Sequence, residues 1–137
     1  MKTSSVLKTL ALAALLPATT AAADLPPLAQ NERVLQEFLA VSIGDEIRQN
    51  CPSISARIFY VLGKARDLEQ YAKSLGYTDD DIRTMRKDPD NKARLRAMRD
   101  EYLAENGVVA GDAESYCRLG RQEIDNQTLI GSLIRSR

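Results

Sequence analysis

Two cysteines, Cys51 and Cys117, are the only ones in 137 residues, and whether they pair decides more about the fold than any other feature. A bond between them closes a loop of about 67 residues and pins whatever surrounds position 51 against whatever surrounds position 117. The compartment settles whether such a bond forms, and the N-terminus speaks to the compartment. Lys2 and Lys8 supply positive charge, Thr9 to Leu16 is nearly all Ala and Leu, and Ala21, Ala22 and Ala23 follow the break at Pro17. These are the three zones of a secretory signal peptide. Small side chains at Ala21 and Ala23 suit a signal peptidase cut after Ala23, which leaves Asp24 as the new N-terminus. The apolar run is shorter than the roughly 20 residues of a spanning helix, which argues against a retained anchor. No cysteine near the cut invites lipid attachment, and no arginine pair marks export in the folded state.

An exported chain meets an oxidising environment, where an unpaired thiol is a liability, so Cys51 and Cys117 are expected to pair with each other. The alternatives are weaker. Two thiols without a histidine are too few ligands for a structural metal, and the C-x-x-C spacing of a redox pair is absent. In the chain-entropy picture a loop of this length contributes on the order of 4 kcal/mol.

Cleavage removes Lys2 and Lys8 and no acid, leaving 17 basic residues against 19 acidic ones. A net charge of minus 2 gives no bulk attraction to nucleic acid or anionic lipid. The remaining 114 residues suit one compact domain over 31–137, preceded by a lead-in over 24–30. Pro26 and Pro27 make that lead-in an extended stretch with little fixed structure.

The domain reads as an all-α bundle of four to five helices. From Asn31 to Asn50, Leu35, Leu39, Ile43 and Ile47 recur every four residues with Val34, Phe38 and Val41 beside them. Pro52 ends that helix and is placed to begin a second, whose expected buried stripe is Ile54, Ile58, Val61, Leu62, Ala65, Leu68, Ala72 and Leu75, with Gly76 as its stop. That reading joins two antiparallel helices at Cys51. Thr78 before Asp79, Asp80 and Asp81 is a helix start, and Asp88-Pro89 is another. The latter opens a helix to about Asn106 with Leu95, Met98 and Tyr102 inward. A last helix, capped by Asp112, is expected to run through Leu119, Ile124 and Ile130 into the C-terminus.

The absence of histidine excludes Ser-His and Cys-His catalysis and removes the commonest metal ligand. No phosphate loop or dinucleotide fingerprint is present. The three consecutive acids Asp79 to Asp81 point in different directions on a helix, so they read as a cap and not as a cation site. No catalytic residue, metal ligand or cofactor is assigned. Two basic groups remain as candidate interaction surfaces: Lys92, Arg96 and Arg99 on one helical face, and Arg118 with Arg121 around Gly120. Acids follow the first group closely and no aromatics interleave with it, so a mixed-charge solvated face is expected and nucleic acid is not. Arg118 and Arg121 are placed either to clamp an anion or to pair with Asp112, Glu114 and Asp125, the second being favoured. Gly120 disfavours helix by about 1 kcal/mol relative to alanine, which a close helix-helix approach would offset.

The segments Glu114–Gly120 (ESYCRLG), Ile47–Cys51 (IRQNC) and Leu75–Thr78 (LGYT), with Tyr102-Leu103 and Gly107-Val108, resemble a family of small exported proteins of unknown function from Gram-negative bacteria. The similarity spans Ala40 to Ile134. It implies the Cys51–Cys117 bridge and a periplasmic address, and no catalytic residue. The functional expectation is a non-catalytic periplasmic helical protein that binds another envelope protein or serves as its accessory subunit. The alternatives are a stress-protective client binder, and an anion-binding protein or enzyme using carboxylates near Arg118 and Arg121.

Overall fold

A computed structural model describes residues 24–137. The signal peptide read over 1–23 lies outside the described residues. Helix α1 (Glu32–Asn50) is the spine. Asn31 caps it, its side-chain oxygen accepting from the Val34 amide at 3.1 Å, as the spacing of an N-cap requires. A short strand β1 (Ile54–Ala56) follows, then α2 (Ile58–Ser74), α3 (Asp79–Lys87), α4 (Pro89–Glu105), α5 (Ala113–Asp125), α6 (Leu129–Leu133) and a terminal strand β2 (Ile134–Ser136). The fold is a small all-α domain of six helices among the described residues, with one two-stranded antiparallel ribbon pairing Ile54 with Ser136 and Ala56 with Ile134.

Two clusters of buried side chains share α1. The larger gathers Ile43, Ile47 and Cys51 of α1 and its end, Ile54, Leu103, Tyr116, Cys117 and Leu119, and Ile130, Leu133 and Ile134. The smaller packs Val34 against Leu28, Ala72 and Tyr77. Cys51 and Cys117 are bonded within the larger cluster, with Cα atoms 5.1 Å apart and both side chains buried, so α5 is tied to the end of α1. The Ser53 hydroxyl lies 3.2 Å from the Cys51 sulfur and donates to that of Cys117 at 3.7 Å.

Gly120 is the close approach expected of it. A Cβ there would stand 2.8 Å from the Ile47 methyl of α1 and would overlap Ile54 Cδ1. The helix starts at Thr78 and Asp88 also form as read. Thr78 Oγ1 accepts from the Asp81 amide while the Asp81 carboxylate accepts from the Thr78 amide at 2.7 Å. That backbone bond, helped by the Thr78 hydroxyl, lowers the Asp81 carboxyl below its ordinary pKa. Asp88 caps α4 with Pro89 in the first turn.

Four expectations need correction. Pro52 does not open a helix: residues 54–56 are extended, because Ile54 reaches into the core and its neighbours pair with a strand 80 residues away. The two helices are therefore joined by a strand and not at Cys51. The last helix is not continuous either. Gln127 takes a left-handed φ of 52°, its amide bonds to Ile124 O and that of Thr128 to Glu123 O, which is a Schellman stop with glutamine in the usual glycine place. Thr128 then caps α6. Third, the lead-in is not simply extended: Leu28–Gln30 forms a 3-10 turn, Leu28 is buried, and Pro26 O accepts from the Tyr77 hydroxyl at 2.7 Å. Fourth, the expected stripe of α2 is mostly not buried.

Candidate functional site

An amphipathic helix normally spends its apolar face on the core, and α2 does so only at scattered positions. Ala72 is buried, and Val61 and Leu68 are half-buried against α1. Ile58 is 55 % exposed, Leu62 49 % and Phe59 89 %, and Val41 of α1 and Leu75 are exposed as well. One helical turn separates Ile58 from Leu62, so they stand on one face. Large apolar groups exposed together mark interaction sites more often than isolated ones do.

Of these residues, Val41, Ile58 and Leu62 line a trench between α1 and α2. Its middle section encloses 390 Å³ and is lined by Val34, Phe38, Val41, Val61, Leu62 and Leu68, among others. Val41 and Val61 also line a 450 Å³ section that extends past Gly44 and Ile58 to Ile134. At the other end Val34, Phe38, Met85 and Arg86 continue into a 200 Å³ section beside Leu95. The floor of the trench crosses from one core cluster to the other. Lys64 of α2 reaches across to Glu37 of α1, N to O 3.0 Å, and holds the walls together where both side chains are mostly covered.

Of the basic residues singled out from the sequence, Lys92 lines the far section of the trench, and Arg96, Arg99, Arg118 and Arg121 line none of it. Arg118 Nη2 donates to Gly107 O at 2.9 Å, serving the turn after α4 and no acid. Arg121 pairs with Glu114 at 2.5 Å on the exposed side of α5. Arg99 folds onto α1, with Glu46 at 3.1 Å, and also meets Asp100 at 2.8 Å, while Lys92 and Arg96 stay exposed on α4. Arg118 and Arg121 thus meet separate partners, and Arg99 of the basic group is engaged by α1. The acids of α3 diverge as expected, Asp79 meeting Lys73 and Asp80 meeting Arg83. Among the described residues no group of three or more candidate ligands could hold a metal ion, and no helix is long and apolar enough to cross a membrane.

One buried carboxylate went unread in the sequence. Glu123 is 3 % exposed in α5, and its oxygens accept hydrogen bonds from the Tyr102 hydroxyl of α4 and the Thr128 hydroxyl. Burial, the bond to Glu123 and the charge of that carboxylate push the Tyr102 phenol up to about 12. Gly131 packs so closely on the Glu123 carbonyl that a side chain there would collide with it. This cluster fastens α4, α5 and α6 together. The Tyr102, Glu123 and Thr128 positions carry no sequence pattern that would have joined them.

Residues 26–135 match the model of a family described as a family of unknown function (DUF5333). No curated protein and no solved structure matches the chain.

Proposed function

The chain belongs to this family of unknown function, and on that premise we propose that it is a non-catalytic protein-binding module of the periplasm, docking another envelope protein along the α1–α2 trench. The observation that carries the reading is the exposure of Ile58 and Leu62, which line the trench, on a helix whose sequence is built to bury that face. Leaving each of these side chains half in water forgoes roughly 0.7–1.5 kcal/mol, which a bound partner would recover. The lack of histidine and the internal pairing of Arg121 support a binding role over catalysis. The three-zone leader over 1–23 and the Cys51–Cys117 bond support an exported, oxidising address.

Affinity capture of the tagged chain from intact cells after crosslinking tests the reading. One dominant envelope partner, lost when Leu62 is changed to Glu, is the expected result. A broad set of unfolded clients captured only under acid or reducing stress would instead favour the protective reading. Capture unaffected by Leu62→Glu would remove the trench from the account.

A further inference from the structure

The charges along the trench specify what kind of partner it takes. Every acid that lines it already has an ion-pair partner within the chain: Glu37 meets Lys64 at 3.0 Å, Asp45 meets Arg48 at 2.6 Å, and Glu69 meets Lys73, which it shares with Asp79, at 2.9 Å. Arg66, Arg86, Lys92 and Arg94 line the same trench, and none has an ion-pair partner among the described residues. The apolar floor is thus bordered by cations whose charge is unmet, although the chain as a whole has as many acids as bases. On α1 the lining runs from Val34 to Arg48, which at 1.5 Å per residue is roughly 21 Å, the length of a four-turn helix.

From the rim charge and this length we infer that the trench receives an acidic amphipathic helix of the partner protein. The helix lays an apolar stripe on Phe38, Val41, Val61 and Leu62, while carboxylates on its flanks meet Arg66 and Arg86. This inference rests on the protein-binding reading above and adds to it the chemistry of the partner. A concave trench between two helices fits a helix in its groove, whereas a flat membrane surface would meet only its lips.

The test uses the mature chain and three labelled helical peptides of about 18 residues. All three carry one leucine stripe, and their polar faces hold Glu, Gln or Lys. Binding is followed by fluorescence anisotropy. The Glu peptide is expected to bind about tenfold more tightly than the Lys peptide at low salt, with the advantage shrinking as salt screens the rim. The double variant R66E/R86E should reverse that order, and L62E should weaken all three peptides together; circular dichroism confirms that each variant is folded. Equal binding of the three peptides, lost in L62E, would overturn the acidic-helix inference and leave a protein-binding trench standing. No peptide binding, with the chain attaching to phosphatidylglycerol vesicles through Leu62, would overturn it in favour of a membrane. A dimer in sedimentation that L62E dissociates would overturn it in favour of a second copy of this chain.

Discussion

Replacing Gly120 with alanine separates two effects of opposite sign, and the structure says which one wins. In an exposed helix the change would stabilise by about 1 kcal/mol through helix propensity. Here the new methyl would stand 2.8 Å from Ile47 Cγ2, a β-branched methyl held by the α1 backbone, and would overlap Ile54 Cδ1. Ile47 and Ile54 are both fully buried, and Ile54 is further held by its strand, so neither yields freely. Overpacking of this kind costs about 1–3 kcal/mol, which leaves a net loss of up to about 2 kcal/mol. For a domain of this size that lowers Tm by up to roughly 10 °C in thermal unfolding followed by circular dichroism. Ile54→Val removes the offending Cδ1 and alone costs about 0.5–1.5 kcal/mol. In the double variant the two changes relieve each other, so the cycle should show a favourable coupling of about 1 kcal/mol. A rise in Tm for Gly120→Ala, or strict additivity in the cycle, would refute the close approach of α5 to Ile47 and Ile54.

Three further outcomes follow from other parts of the molecule. Reducing the Cys51–Cys117 bond, or replacing both residues with serine, should cost about 4 kcal/mol for a sequence separation of 66 and lower Tm more than Gly120→Ala does; a reduced chain that melts with the oxidised one contradicts this. The Tyr102 phenol holds its proton more tightly in the fold than its ordinary 10.0 allows, so its contribution is complete below pH 10 and fades as pH rises from there through about 12. Absorbance titration should resolve one of the five tyrosines ionising late, and Tyr102→Phe should abolish that late step. Glu123→Leu should destabilise by about 1–3 kcal/mol, because it strands the Tyr102 and Thr128 hydroxyls without an acceptor, and Glu123→Gln, which keeps one, should cost less when both are compared in urea.

What the sequence made legible is what local chemistry decides. Caps at Thr78, Asp88 and Asp112 satisfy amides within three residues of themselves, so their side chains announce the helix starts. The cysteine pair was legible because only one intramolecular pairing exists. The strands were not, since Ile54–Ala56 becomes extended only through Ile134–Ser136, and three residues carry too little alternation to be read. Nor was the stop at Gln127, because a non-glycine residue in the left-handed region leaves no signal of its own, although Thr128 ahead of Leu129 was available as a cap. The trench escaped notice for a more general reason. Periodicity shows that the α2 residues share a face and not whether anything covers it, so Ile58 and Leu62 read as core while Phe59 read as nothing. The basic residues drew attention by density, yet Arg99, Arg118 and Arg121 are occupied within the chain, and those left over along the trench are Arg86, Lys92 and Arg94 of the dense stretch with Arg66, which lies outside it.

Site-specific photocrosslinking in intact cells tests the central claim most directly, with a photoreactive residue placed in turn at Ile58, at Leu62 and, away from the trench, at the exposed Asp125 of α5. The account requires a discrete crosslinked species at Ile58 and Leu62, of one mass, and none at Asp125. Crosslinks at Asp125 with silence at Ile58 and Leu62 would place the working surface of this protein elsewhere.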